Sequence, residues 1–431
     1  MVYNAAPTAA LTGTGPSGVF LPLLVPNVPV RAAVRGSAVD ILKLTFGVLC
    51  NYMDTFLTEK HRIVRSAVRA FAQREIMPIA REIDEDRRFP WEVIEKMGKL
   101  GYLGIQAPRE LGGAGMDAVS YIIIIEEISR AAAALGLCAS VHNSVALYPI
   151  LAFGNALQHD KFVPDLATGK KIGAFCLTEP NAGSDASAIE ATAIKDGDHY
   201  IVNANKVFVT NGGVADICVM FVRTDPTAGP RGISVIVAEK GTPGFVVGEK
   251  ENLSGMRANP VCSIRLGDCR IPAENLLAKE GMGLKIGLAA LDTGRIGIAA
   301  QAVGIAQAAL SEGIKYAKER IQFKVPIARH QSIQNMIADM ATQVESARLM
   351  VYRAAVLKDQ KKPFSKEAAM AKLMASETSS QVADMAVQIH GGYGYSKAYG
   401  VERYYRDARI TRIYEGTSEV HRMVIARNIL G

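Results

Sequence analysis

The chain has 431 residues, of which 49% are hydrophobic and 21% charged, with a formal net charge of +7. That length exceeds one ordinary core, so two or three packed layers or subdomains are expected of a soluble, globular chain. Lys and Arg alternate with acids, as in Arg81-Glu-Ile-Asp-Glu-Asp-Arg-Arg88, with no basic stripe between aromatics, so nucleic acid is excluded and an acidic small ligand suits the mild basicity.

Six cysteines (Cys50, Cys138, Cys176, Cys218, Cys262, Cys269) form neither CxxC pairs nor a dense framework. They read as reduced thiols, which places the chain in a prokaryotic cytoplasm or, as the alternative, a mitochondrial matrix. The seven histidines make no HxxxH or HExxH pair, so no metal site is expected.

In chain order, residues 1–52 come first. They carry no charge before Arg31 and have prolines at 7, 16, 22, 26 and 29, which break helices and strands. Neither a secretory signal nor an Arg-rich transit peptide fits, and the apolar stretch 41–50 is too short to span a bilayer. A disordered or mis-called extension is expected.

Residues 53–172 read as a helical domain. Leu57, Ile63, Val64, Val68, Phe71 and Ala72 recur at helical spacing. Tyr121-Ile-Ile-Ile-Ile125 is taken as helix rather than strand, because Glu126, Glu127 and Arg130 follow at once; the same charges exclude a membrane span. Residues 173–280 change texture to short apolar runs, such as Ile217 to Val222 and Ile233 to Ala238, between Gly, Asn, Asp and Pro turns. That texture predicts an antiparallel β-domain. Residues 281–431 return to long helices, with Ile333, Met336, Ile337, Met340, Val344, Ala347 and Val351 along one face, and with Gly304 and Gly313 allowing close helix approach. The order defines an α+β fold: helices, a small sheet domain, then a four-helix bundle.

Three separated segments carry the chemistry. Phe175-Cys-Leu-Thr-Glu-Pro-Asn-Ala-Gly-Ser-Asp185 is a strand end followed by a turn of small residues with free amides, fit for a flat polar-edged ring and a phosphate. Lys206-Val-Phe-Val-Thr-Asn-Gly-Gly213 reads either as its partner or as a core strand. Near the C-terminus, Ile413-Tyr-Glu-Gly-Thr-Ser-Glu419 sets Glu415 beside Gly416, where backbone can approach a ligand and a carboxylate can act as a base. An isolated Glu-Gly would instead be a surface glutamate at a helix start.

Together these segments resemble the acyl-CoA dehydrogenase family from Met53 to Gly431, most closely its short-chain (butyryl-CoA) members. The resemblance implies FAD as cofactor, with Phe175, Leu177 and Thr178 lining the flavin and Ser184 serving both the FAD and the acyl-CoA. Phe208 stands where the family often has tryptophan, keeping an aromatic face without the indole N–H, and Thr210 approaches the flavin. Leu291-Asp-Thr-Gly-Arg-Ile-Gly-Ile298 is similar to the segment lining the acyl-CoA pocket, with Asp292 and Arg295 at its polar end; a surface ion pair reads equally well. Glu319-Arg-Ile-Gln-Phe323 resembles the segment that reaches a neighbouring subunit's FAD, which brings in Arg320, Gln322 and Phe323, with His330, Gln331, Gln388, Gly391 and Gly392 completing it. Two departures stand here: Lys324-Val325 replaces Gly-Lys, and Ala398 replaces an acid.

Some relatives carry the base on the helix near Gly294; here 294 is glycine, so the resemblance assigns the catalytic base to Glu415, with Gly416 on the substrate and Thr417 and Glu419 on the cofactor. It further implies oxidation of a saturated acyl-CoA to the trans-2-enoyl-CoA, a homotetramer, and electron-transfer flavoprotein as partner, with no membrane. Two other classes remain: an acyl-CoA oxidase, which the extra C-terminal domain usual in those enzymes would mark, and a CoA- or flavin-binding assembly protein without turnover. Oxygen uptake separates the first, flavin bleaching by butyryl-CoA the second.

Overall fold

A computed structural model describes residues 57–431, and the expectation for residues 1–52 lies outside them. The chain opens with α1 (Glu59–Phe71), whose N-terminal amides are capped by Thr58. It continues through α2 (Ala80–Glu85) and α3 (Trp91–Lys99) to α4 (Ala118–Ala131). The isoleucine run lies inside α4, buried on nearly every side. Asp117 caps α4 through Ser120 N, and Asp359 accepts from the next free amides, Ala118 N and Val119 N.

The following stretch, α5 (Ala133–Val141), a π-turn and α6 (Tyr148–Phe153), meets the length and apolarity of a bilayer-spanning helix, yet 89% of its most apolar window is buried within the protein. Its apolarity serves core packing. α7 (Ala156–Ala167) closes the N-terminal domain, with a reciprocal capping box between Asn155 and Gln158.

The middle domain is a seven-stranded sheet of β1 (Gly173–Cys176), β2 (Thr192–Asp196), β3 (His199–Val209), β4 (Ile217–Arg223), β5 (Ile233–Glu239), β6 (Phe245–Lys250) and β7 (Cys262–Pro272), in the order β1-β4-β2-β3-β7-β6 with β5 on β4. Most ladders are antiparallel, but β1 runs parallel to β4, pairing Phe175 with Val219. Both faces of β4 are covered. Ile217, Val219 and Phe221 pack with Phe162, Val163 and Leu166 of α7, while Cys218, Met220 and Val222 pack with Val202, Ile264 and Leu266. A continuous apolar run, rather than an alternating one, follows from that double burial. Each such side chain contributes about 1.5–3 kcal/mol on burial.

The C-terminal domain is built on α8 (Gly283–Glu319), 37 residues long, with α9 (Gln331–Asp359), α10 (Ser365–His390), the short α11 (Gly392–Tyr395), α12 (Val401–Ile410) and α13 (Ser418–Leu430). Gly304 allows the close approach expected of it: a Cβ there would lie 2.4 Å from Glu126 O. Gly297 does the same against Tyr121 and Ser140, whereas Gly313 has ordinary room. After α8 a two-stranded hairpin pairs β8 (Ile321–Gln322) with β9 (Val325–Pro326). Its two loop residues, Phe323 and Lys324, have φ of 51° and 68°. That is the geometry of a type I′ turn, which normally takes Asn-Gly, so replacing Gly-Lys by Lys-Val leaves bulky residues in a left-handed turn.

Candidate active site

Two clusters of candidate residues emerge. The first is centred on Glu415. The segment after α12 turns sharply, with φ of 50° at Glu415 and 98° at Gly416, before Thr417 caps α13 by accepting from Val420 N. The turn points the Glu415 side chain inward. Both carboxylate oxygens are buried and make no hydrogen bond, so this is no surface glutamate. They lie over Gly294 of α8: a Cβ on that glycine would sit 2.0 Å from Glu415 Oε2 and 3.0 Å from Val145 Cγ1. A side chain at 294 and the Glu415 carboxylate therefore exclude one another.

Burial pushes the Glu415 carboxyl up to about 7, against the opposing charges of Lys372 and Arg295. Arg295 is itself buried and pairs with Asp292 at 2.6 Å, and Ser365 Oγ donates to the same Asp292 oxygen. The pair is thus internal, and the Arg295 charge acts on Glu415. Tyr414 donates to Gln301 Oε1, and Gln301 donates to Ala133 O, which ties the motif to the N-terminal domain. Glu419 is exposed in the first turn of α13.

Phe175, Leu177 and Thr178 are half-buried along and just past β1, with Phe175 edge-on to Phe221 at 4.8 Å. Ser184 is exposed on the loop beyond, and Gly183 beside it has open space where a Cβ would point. That loop is fixed from beneath by an ion pair that sequence reasoning missed. Lys206, fully buried, donates to Glu179 Oε1 at 2.6 Å and to Leu177 O at 3.1 Å, while Glu179 also accepts from Glu190 N and Ala191 N.

Phe208 is not a core-strand residue. A register shift between Lys206 and Val209 marks a bulge in the β3–β7 ladder, and Phe208 stands on it at φ 54° and 61% exposed. Thr210 follows at the strand end, half-buried, and its position is set by Asn211, whose amide donates to Cys138 O and Gly173 O. An aromatic face turned outward beside small residues is a surface suited to a flat ring.

The second cluster lies at the far end of α8. Arg320, Gln322, Gln388, Gly391 and Gly392 line one pocket of about 630 Å³ with Tyr316 and Tyr393. Neither glycine has an atom within 4 Å of where its Cβ would be, so the backbone offers an open cradle beside a guanidinium and two amides. Such a donor set matches a diphosphate. His390 is structural, stacked on Tyr316 and bonded to Ala386 O. His330 flanks this hairpin with Phe323 edge-on at 5.8 Å, Gln331 is exposed at the start of α9, and Ala398 is exposed. None of the middle-domain candidates lines this pocket.

Comparison with known proteins agrees along the whole described chain. Residues 58–170 match the acyl-CoA dehydrogenase N-terminal domain, residues 174–269 the middle domain and residues 281–430 the C-terminal domain. The acyl-CoA dehydrogenase of Bacillus subtilis (strain 168) is 50% identical over 87% of this chain and 99% of its own length. The mitochondrial short-chain specific acyl-CoA dehydrogenase of Mus musculus is 49% identical over 88% of this chain and 92% of its own. The structure of butyryl-CoA dehydrogenase from Megasphaera elsdenii superposes with a TM-score of 0.86 at 43% identity, covering 87% and 99% of the two chains. The matches over all three domains define an oxidoreductase of the flavoprotein type. The chain belongs to the acyl-CoA dehydrogenase family.

Proposed function

We propose that this chain oxidises a saturated, short-chain acyl-CoA to its trans-2-enoyl-CoA with FAD bound, and passes the electrons to electron-transfer flavoprotein. The observation that carries the reading is the Glu415 carboxylate: buried, unpaired, and seated over Gly294. The residues present fit the cofactor. Phe175, Leu177, Thr178, Phe208 and Thr210 offer a face for the ring, and Arg320, Gln322, Gln388, Gly391 and Gly392 offer donors for a diphosphate. Since the two sets do not share a pocket within one chain, the reading includes a homotetramer in which the second set serves a neighbouring subunit.

Bound FAD supplies a hydride acceptor for the substrate β-carbon. The chain's own part is to remove the α-proton. Glu415 takes that proton, the electron pair of the α C–H bond becomes the new α,β double bond, and the hydride leaves the β-carbon. A carboxylate in water is far too weak a base for a thioester α-proton. Burial raises Glu415 toward the pH at which it works, and exclusion of water strengthens every charge in the site. The backbone N–H of Glu415 has no acceptor among the described residues, so it is free to donate to the developing enolate oxygen. Arg295 and its partner Asp292 form the polar end of the acyl pocket, and relatives named short-chain specific acyl-CoA dehydrogenase and butyryl-CoA dehydrogenase support a short-chain substrate.

Glu415→Gln tests this. The amide keeps the size of the side chain and cannot accept the proton, so the variant should stay yellow and bind butyryl-CoA with a spectral shift while flavin bleaching slows by ~10²–10⁴-fold. Reduction at close to the wild-type rate would remove Glu415 from the mechanism. A panel of C4 to C16 acyl-CoAs on the wild type reads the chain-length preference.

A further inference from the structure

Lys372 of α10 is a residue that neither the motifs nor the mechanism uses, and its surroundings are unusual. The side chain is 0% exposed, a state lysine rarely reaches. Its ammonium donates to the backbone oxygen of Gly416 at 2.7 Å rather than to a carboxylate oxygen. Gly416 is the second residue of the left-handed turn that aims Glu415, and a non-glycine residue held at the φ of 50° seen at Glu415 costs ~1–3 kcal/mol unless its surroundings impose it. The fully buried His421 of α13 closes the turn from the other side, its ring within 3.1 Å of where a Gly416 Cβ would be and both ring nitrogens without a partner.

A neutral amide or hydroxyl would hold that carbonyl at less desolvation cost. What lysine adds, while protonated, is a positive charge held on the backbone oxygen of the residue next to Glu415. We propose that Lys372 is a positioning residue for the reaction: it ties down the carbonyl of the Glu415–Gly416 turn and holds there a positive charge that acts on the carboxylate taking the α-proton. The inference rests on Glu415 being the base.

The electrostatics agree in sign. Burial drives the Lys372 ammonium down to about 7, opposed by the Glu415 charge, while Lys372 is the larger of the two charges that hold Glu415 down against its own burial. Other groups facing the pair are accounted for. From α8, Arg295 acts on both residues and is partly offset by Asp292. From α10, Glu377 is engaged by Ser418 and Arg412. From α13, Glu419 acts on Lys372 from an exposed site, and His421 is kept neutral by burial. Tyr121 of α4 and Tyr414 of the turn sense the Glu415 charge and are themselves raised, so they stay neutral.

Two variants separate the tie from the charge. Lys372→Gln keeps a donor for Gly416 O without charge, and Lys372→Met loses both. The measurement is the rate of flavin reduction by butyryl-CoA from pH 5.5 to 9, with substrate affinity by titration and thermal unfolding alongside. In both variants the ascending limb of the pH profile should move to higher pH by ~1 unit, the low end of the range for loss of an opposite charge near a carboxylate, because Lys372 itself titrates at about 7. Lys372→Met should also lose ~10-fold or more of the plateau rate that Lys372→Gln keeps, with substrate affinity changed less than ~3-fold in each, because only the transition-state position of the base is disturbed. A limb that stays in place in Lys372→Gln overturns the proposal, whatever happens to the melting temperature; that variant decides the matter if Lys372→Met does not fold. Glu415→Gln run in parallel tells the two failures apart. If it is inactive while Lys372→Gln keeps the wild-type limb, the positioning role alone falls; if it is active, the base assignment falls and the proposal with it.

Discussion

Replacing Gly294 by alanine adds one methyl group where the Glu415 carboxylate now sits. The new Cβ would lie 2.0 Å from Oε2 and 2.8 Å from Cδ, against 3.4 Å or more for ordinary contact, so the carboxylate must withdraw by about 1.4 Å. The new Cβ would also lie 3.0 Å from Val145 Cγ1, and backing away along α8 is barred because the glycine lies mid-helix. A displacement of ~1 Å at a reacting group costs ~10²-fold in rate. Gly294→Ala should therefore slow flavin reduction by butyryl-CoA ~10²-fold in single-turnover stopped flow, while FAD content and the spectral shift on ligand binding persist. The double variant Gly294→Ala/Glu415→Gly removes the clash and should recover any melting temperature lost by Gly294→Ala without recovering rate, a non-additivity that identifies the two side chains as neighbours. Reduction by Gly294→Ala within about three-fold of wild type would show that the carboxylate does not work from the position described, and the reasoning from the glycine would be refuted.

Glu179→Ala strands the fully buried Lys206 and frees the Glu190 and Ala191 amides, so it should lose ~3–5 kcal/mol of stability, read as a lower melting temperature together with looser flavin retention on gel filtration. A pH effect on stability follows from the Glu415 carboxyl. Its folded value of about 7 lies above its ordinary 4.5, so the stability it contributes is complete below 4.5 and lost as pH rises through 7. Glu415→Gln should accordingly melt higher than wild type at pH 8, by up to ~3 kcal/mol, and show a smaller drop between pH 5 and 8; a variant less stable than wild type at pH 8 would contradict the burial argument.

Much of this was legible because the motifs are local. Glu415, its glycine and the following cap lie within three residues, whereas Gly294 is one of six glycines on α8 and only the family resemblance singled it out. Texture also carried the order of helices, sheet and helices, since the period changes from helical spacing to short apolar runs and back. What stayed hidden depends on partners distant in sequence. Nothing in the strand pattern gives the parallel pairing of β1 with β4, because apolar runs state burial and not direction. Phe208 read as ring platform with core strand as the alternative, and the bulge turns it outward. Asp292 and Arg295 looked as much like a surface pair, and only the packing of α8 makes them internal. Lys372 and Lys206 carry no local sign at all: a lysine among alanines on a helix, or on a strand beside valines, reads as solvent-facing until the whole fold closes over it. At Phe323-Lys324 the sequence showed only a departure from the family pattern, since neither residue is one that a left-handed turn prefers.

The helix that leads into Glu415 is itself anchored from two directions. Arg406 of α12 grips both oxygens of Asp84, at 3.2 and 2.7 Å, and donates to Ser254 O; its neighbour Asp407 accepts from Met256 N at 2.6 Å, and a Cβ on Gly255 would strike Arg406 O. Residues more than three hundred positions apart thus fix the register of the segment that ends in Glu415. Such a clamp works as an interlock during synthesis and refolding. Until the first helical domain and the sheet domain have both closed on α12, the Glu415 carboxylate has no buried seat, and the rise in proton affinity that burial gives it is absent.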